Sequence, residues 1–228
     1  MAVHPVNPDP GAPIAVAILA RAPIPGQVKT RLIPALGSDG AARLQAWLLR
    51  RTVEKALAAD IGPVSLWCDG NPLHPDFAIC HAFDRVVVHL QAAGDLGVRM
   101  LAALQESPTP AGTLVIGTDC PALTATHLRL AAQFLRDHDA VVLPAEDGGY
   151  VLIGMKTPDP RAFHAIDWGT AEVMAQTRQR LAGLGWHWAE PLCLWDVDHP
   201  ADFTRLAAMI PELRSELALL HGNQPDSP

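Results

Sequence analysis

Clustered cysteine, a surplus of positive charge and any long apolar run are all missing from this sequence. Its four cysteines (Cys68, Cys80, Cys120, Cys193) are scattered over 228 residues, with neither a CxxC pair nor zinc-finger spacing. That pattern suits reduced thiols and argues against a disulfide scaffold. With 17 Lys and Arg against 24 Asp and Glu, the formal net charge is -7, which argues against nucleic acid or an anionic membrane as the main partner. No run approaches the ~20 apolar residues that span a bilayer. The opening MAVHPVNPDPGAP lacks the basic start and apolar stretch of a signal peptide. A soluble cytoplasmic protein is expected. The phosphate-binding patterns GxxxxGK[ST] and GxGxxG are absent too. With no repeat and no linker in the interior, one domain over 14–220 is expected, between disordered tails at 1–13 and 221–228.

What is present alternates. IAVAILA (14–20), PVSLWCD (63–69), RVVVHLQ (85–91), TLVIGTD (113–119) and DAVVLP (139–144) read as strands, and DGGYVLIGMK as a Gly turn feeding a sixth. Between them lie helical patterns. Leu44, Leu48, Val53 and Leu57 fall at helical spacing behind a Ser38 cap; Asp95 precedes Val98, Met100, Leu101 and Leu104; another helix begins at Thr124 and ends near Arg136. WGTAEVMAQTRQRLAGLG is a helix closed by glycines, WHWAEPLCLWDVDHP a further strand and loop, and short helices finish the chain. Continuous apolar strands separated by helices predict an α/β fold: a mostly parallel sheet covered on both faces. Ligands of such sheets sit at the carboxyl ends of strands. The unusual residues fall in those loops.

After the first strand, ARAPIPGQVKTR sets Lys29 and Arg31, an ammonium and a guanidinium suited to phosphate oxygens, on a loop stiffened by Pro23 and Pro25. Gly26 lets backbone approach a ligand. A solvated surface loop is the plainer alternative. Asp119, ending the fourth strand in GTDCPAL, is placed to hold a hard divalent cation, or simply to make a turn before Pro121. Cys120 reads as a small buried filler, since no His lies near it in sequence. In LWDVDHPADF, Asp196 and Asp198 alternate, so an extended backbone points them to opposite faces. Asp198 or His199 could equally cap a helix opened by Pro200. Glu146 and Asp147 stand on an Asp-Gly turn, where either could bind an acceptor hydroxyl or act as a base. Trp168, Gly169 and Thr170 open a helix as an acceptor-side lid or as core packing.

LARAPIPGQVKTRL, GDLG, GTDCPAL, DGGYVLIG, WGT and DVDHPADF occur in that order between residues 19 and 203. Together they resemble the DUF2064 family, described also as a glycosyltransferase family linked to arsenosugar biosynthesis or radical-SAM/selenodomain gene neighbourhoods. That family is similar to the nucleotide-diphospho-sugar transferases, with a Rossmann-like GT-A fold. The resemblance implies that the loop with Ala20, Arg21, Gly26, Lys29 and Arg31 lies along the nucleotide's phosphates, that Thr118 also binds the nucleotide, and that Gly94, Asp95, Leu96 and Gly97 border its base and ribose. It implies Mg²⁺ or Mn²⁺ on Asp119 and Asp198, and catalytic roles for Asp119 and Asp147. Gly148, Gly149, Tyr150, Trp168, Gly169 and Thr170 would face a small-molecule acceptor. Two departures stand out: His199 where Thr is usual, and Arg21 where members often carry Lys. Glycosyl transfer from a nucleotide sugar is the leading expectation. Nucleotidylyl transfer from a triphosphate and a non-catalytic nucleotide-binding module are the alternatives. Lys29→Ala is expected to weaken nucleotide binding with the fold unchanged.

Overall fold

The computed structural model describes residues 11–81 and 85–219, so the expected tails lie outside the described residues apart from 11–13. Strands β1 (Ala15–Arg21), β2 (Val64–Asp69), β3 (Val86–Leu90), β4 (Thr113–Ile116), β5 (Ala140–Pro144), β6 (Tyr150–Met155) and β7 (Trp188–Ala189) form one sheet in the order β3-β2-β1-β4-β6-β5-β7. Pairing is parallel except along β6, which runs antiparallel to both β4 and β5. The exception has a simple cause. Only the turn around Asp147 and Gly148 separates β5 from β6, and so short a link permits a hairpin but no crossover.

Helices α1 (Ile33–Ala59), α2 (Pro75–His81), α3 (Leu96–Glu106), α4 (Ala125–Asp137), α5 (Val173–Gly183), α6 (Pro200–Met209) and α7 (Leu213–Leu219) surround the sheet. Alternation along β1 divides the core. Val16, Ile18 and Ala20 face Leu49 and Val53 of α1 and Leu128 and Leu135 of α4. On the other face Ala17, Val115, Val142 and Ile153 meet Met100 and Leu104 of α3 and Met174 and Leu181 of α5. Burying each large aliphatic chain is worth about 1.5–3 kcal/mol, an upper figure since unfolded chains already bury some surface.

A third cluster positions the site. Leu32, Leu44, Trp47 and Leu48 pack against Trp195, Val197, Phe203, Leu206 and Leu213. Leu32 follows the basic loop and Val197 stands between Asp196 and Asp198, and both are wholly buried. Apolar packing therefore brings two segments about 165 residues apart side by side, together with the charges they carry.

Some elements differ from expectation. α1 starts at Ile33 with Pro34 in its first turn, and it breaks at Gly37, where φ is 69°. Leu32, not Ser38, stands at its N-cap. The β4 ladder stops at Ile116, and Gly117 to Asp119 run on outside it. α2 was not anticipated. Cys68, Cys120 and Cys193 are in no disulfide. Among the described residues no helix is long and apolar enough to cross a membrane.

Candidate active site

The loop after β1 turns on Gly26, where φ is 79°, and reaches Lys29 with φ 47° and ψ 40°, left-handed for a residue that carries a Cβ. From there the Lys29 side chain runs inward. Its side chain is only 4% exposed, and Nζ lies 2.8 Å from Asp119 Oδ1 and 3.5 Å from Asp198 Oδ1. Nζ also donates to the Val197 carbonyl at 2.6 Å. Arg31, which stays exposed, reaches the other oxygen of Asp198 at 3.2 Å. Basic loop and distant carboxylates thus meet in one place.

Asp119 is held from behind. Gln45, buried in α1, donates to Thr118 Oγ1 at 3.0 Å, and that hydroxyl lies 3.3 Å from Asp119 Oδ1. The Asp119 carbonyl accepts the Val197 N–H at 2.9 Å, which ties the end of β4 to the carboxylate segment. Asp196 and Asp198 both line the same cleft. The opposite-faces expectation is therefore corrected: this segment has irregular backbone, not strand, so strict alternation does not apply. The capping alternative for Asp198 fails as well. His199 occupies the N-cap of α6, and Asp202 at the third helical position accepts the His199 N–H at 2.7 Å and the Asp198 N–H at 3.1 Å. This Asp closes the helix end and leaves the Asp198 carboxylate to Lys29 and Arg31.

Burial, and after it the charges of Asp147, Asp198 and Asp119, push the Asp196 carboxyl up to about 6. A carboxyl whose folded value is raised binds more protons folded than unfolded between its ordinary value and about 6, so its penalty grows as pH rises through that window and is absent below it. Asp196→Asn should therefore raise Tm at pH 8 in metal-free protein and leave it nearly unchanged at pH 4. Thermal melts in chelator at the two pH values check this, and equal shifts would show that the substitution acts through something other than charge.

At the other end of the cleft, Asp69 at the tip of β2 receives Arg21 Nε at 3.2 Å and Arg99 Nη1 at 2.9 Å. Gln91 spans the carbonyls of Ala20 and Trp67 at 3.1 and 2.9 Å, while Arg99 Nε donates to the Gly94 carbonyl at 3.1 Å. The cleft holds about 530 Å³ between these two polar ends, with Leu19, Met100, Tyr150 and Val151 in its walls.

A family model described as an uncharacterized protein conserved in bacteria, DUF2064, matches residues 52–170, just over half of the chain. The chain belongs to the DUF2064 family. Among solved structures it is similar to a protein of Desulfovibrio desulfuricans G20 provisionally assigned as a nucleotide-diphospho-sugar transferase, at 26% identity and a TM-score of 0.76, covering 92% of this chain and 94% of that one. It also shares its fold with CMP:2-keto-3-deoxy-manno-octonic acid synthetase complexed with CTP (12% identity, TM-score 0.58, 87% and 99% covered). The 4-diphosphocytidyl-2C-methyl-D-erythritol synthase of Anaerococcus prevotii DSM 20548 shares it too (11%, 0.57, 87% and 96%). No curated protein matches the chain. This DUF2064 chain thus has the Rossmann-like GT-A architecture of the nucleotide-diphospho-sugar transferases.

Of the residues singled out from the DUF2064 motifs, Ala20, Arg21, Lys29, Arg31, Leu96, Thr118, Asp119, Tyr150 and Asp198 line the cleft. Others serve its frame. Asp95 caps α3 by accepting the Val98 N–H at 2.9 Å. Gly97 lets α3 close on Trp168, since a Cβ there would stand 2.8 Å from the indole. Trp168 packs edge-on to Tyr150 and against Phe163, so its core reading holds, and Thr170 bonds back to the Asp167 carbonyl at 2.8 Å. Asp147 accepts the Gly149 N–H at 2.9 Å, the ordinary Asp-Gly turn, with Gly148 (φ 93°) pressed against Ala171 and Gly169 (φ 80°) in open space. Gln45, Asp69, Gln91, Arg99 and Asp196 are cleft residues that the motifs did not reveal as such. Of these, only Asp196 carried a signal, its place beside Asp198, and the alternation rule argued it away.

Proposed function

We propose that this protein is a nucleotide-sugar-dependent glycosyltransferase acting on a small acceptor that presents a hydroxyl group. The observation that carries the reading is the meeting of Lys29 with Asp119 and Asp198 at one end of the cleft. An ammonium held there supports a seat for a cation between the two carboxylates. Among the described residues no group of three or more His, Cys, Asp or Glu is arranged for a metal. Two carboxylate oxygens are what Mg²⁺ or Mn²⁺ needs when the remaining positions go to water and phosphate, so the donor set fits. When bound on Asp119 and Asp198, the ion would supply charge neutralisation for the departing diphosphate.

The chain's own residues would do the rest. Arg31 offers a guanidinium to the phosphates beside the ion, and the far end of the cleft, near Leu96, Gln91, Asp69 and Arg21, receives the base and ribose. The acceptor oxygen attacks the anomeric carbon as the bond from that carbon to the diphosphate oxygen breaks. Asp196, which lines the cleft with Asp119 and Asp198, would take the acceptor's proton, under the influence of the Asp147 charge. With the ion on Asp119 and Asp198, the charges of Asp147 and Asp196 disfavour a phosphorylated nucleophile but accept a hydroxyl. That asymmetry favours glycosyl over nucleotidylyl transfer.

Nucleotidylyl transfer remains the second reading because Arg21, Lys29 and Arg31 place three cations in one cleft, enough to offset a triphosphate. Product analysis separates the two. Incubation with UDP-, GDP- and dTDP-sugars and Mn²⁺ is expected to release a nucleoside diphosphate. Pyrophosphate release from a nucleoside triphosphate would select the second reading, and binding that needs no metal and gives no turnover would make the chain a nucleotide-binding module.

A further inference from the structure

Lys29 reads at first as a phosphate ligand, yet its ammonium is already saturated. It has three protons, and they face three acceptors: Asp119 Oδ1 at 2.8 Å, the Val197 carbonyl at 2.6 Å and Asp198 Oδ1 at 3.5 Å. The side chain is 96% out of solvent, although the two carboxylates are about half and a third exposed. The backbone supplies a second, independent observation. Lys29 is held at φ 47°, ψ 40°, a conformation that side chains with a Cβ adopt at a cost and that persists where surrounding contacts enforce it. Three residues earlier Gly26, at φ 79° and with open space where a Cβ would stand, leaves the loop a pivot.

We propose that Lys29 is a tethered counter-ion that closes the Asp119–Asp198 pair to divalent cations until a nucleotide's phosphates draw its ammonium away. The inference rests on the metal-assisted reading of this cleft. A divalent ion bound to Asp119 Oδ1 at about 2.1 Å would lie within a few ångströms of an ammonium on the same oxygen, and two cations that close repel strongly. Occupancy is therefore one or the other. Phosphate oxygens resolve the conflict, because they offer Nζ new acceptors and supply the ion with further ligands. Metal and nucleotide then bind with positive coupling, and the metal-free, nucleotide-free protein keeps its carboxylates neutralised. Arg31 shares Asp198 but stays exposed, so it does not fill the seat between the two acids.

The test is a Mn²⁺ titration of the metal-free full-length chain, followed by the electron paramagnetic resonance signal of free Mn²⁺. It is run alone and with ADP, CDP, GDP, UDP or dTDP. Lys29→Met keeps the stem and removes the charge. It should bind Mn²⁺ alone at least about tenfold more tightly than the wild type, as one nearby opposing charge removed from a half-exposed site implies. The affinity gain on adding nucleotide should shrink correspondingly. Should Lys29→Met not fold, Lys29→Gly, which suits the left-handed backbone, carries the same comparison. Equal Mn²⁺ affinities without nucleotide overturn the counter-ion role and leave the metal site standing. Failure of every protein to bind Mn²⁺, with or without nucleotide, overturns the metal-assisted reading together with it.

Discussion

Asp119→Asn should cut turnover by about a thousandfold, on the order of 4 kcal/mol of transition-state stabilisation, while Tm moves by only a few degrees. The size of the loss follows from position. Asp119 supplies one of the two carboxylates at the Lys29 end of the cleft, and an amide of the same shape can neither bind a hard cation as well nor orient Lys29. Stability should survive for three reasons. The side chain is about half exposed, the tie to Val197 runs through the Asp119 backbone carbonyl, and Lys29 keeps Asp198 and the Val197 carbonyl. Steady-state kinetics beside a circular-dichroism melt check both halves. A variant that unfolds, or one that turns over normally, would make Asp119 a turn-forming residue and nothing more.

Trp67→Ala should have the largest effect on the fold, a loss of about 3–5 kcal/mol. Trp67 lies in β2, 1% exposed, with its ring stacked on His89 at 4.5 Å and its indole N–H given to Ser65 Oγ at 3.0 Å. Its removal leaves a cavity in the second core cluster and the Ser65 hydroxyl short of a donor. The Trp67 carbonyl, one of the two acceptors that hold Gln91 under Arg99, stays in the variant, so the cleft should suffer far less than the core. Urea denaturation measures the loss, and a change below about 1 kcal/mol would show that the sheet closes over the gap.

Lys29 shows where local reading stops. Charge on a Pro- and Gly-bounded loop at a strand end pointed to a candidate site, and Lys29 and Arg31 line the cleft. The expectation that Lys29→Ala leaves the fold untouched did not foresee that Nζ is buried against Asp119 and Asp198, partners roughly 90 and 170 residues away along the chain. Such pairings are fixed by the packing of Leu32 on Val197 and Trp195, and nothing in a local window encodes them. β1, β2, β4, β5 and β6 were legible because they are buried on both faces and read as apolar runs, while β3, at the sheet's edge, leaves Val87 and Leu90 exposed. The Asp196–Asp198 segment misled because alternation belongs to strands, whereas irregular backbone can turn two nearby acids into one cleft. Asp69, Gln91 and Arg99 were invisible for a related reason. Each is an ordinary polar residue at an element's edge, and only the register of β1 on β2, which sets Arg21 opposite Asp69, makes them one constellation.

The loop's cations and the two distant aspartates are held to form a single seat for an ion and a nucleotide's phosphates. Anomalous scattering at the manganese edge, from crystals grown with Mn²⁺ and a nucleoside diphosphate, addresses that directly. A peak about 2.1 Å from carboxylate oxygens of both Asp119 and Asp198, with phosphate oxygens completing its shell and Lys29 Nζ moved off Asp119, is the predicted result. A nucleotide lodged elsewhere, or one in this cleft with Lys29 still on Asp119 and no manganese beside it, would contradict it.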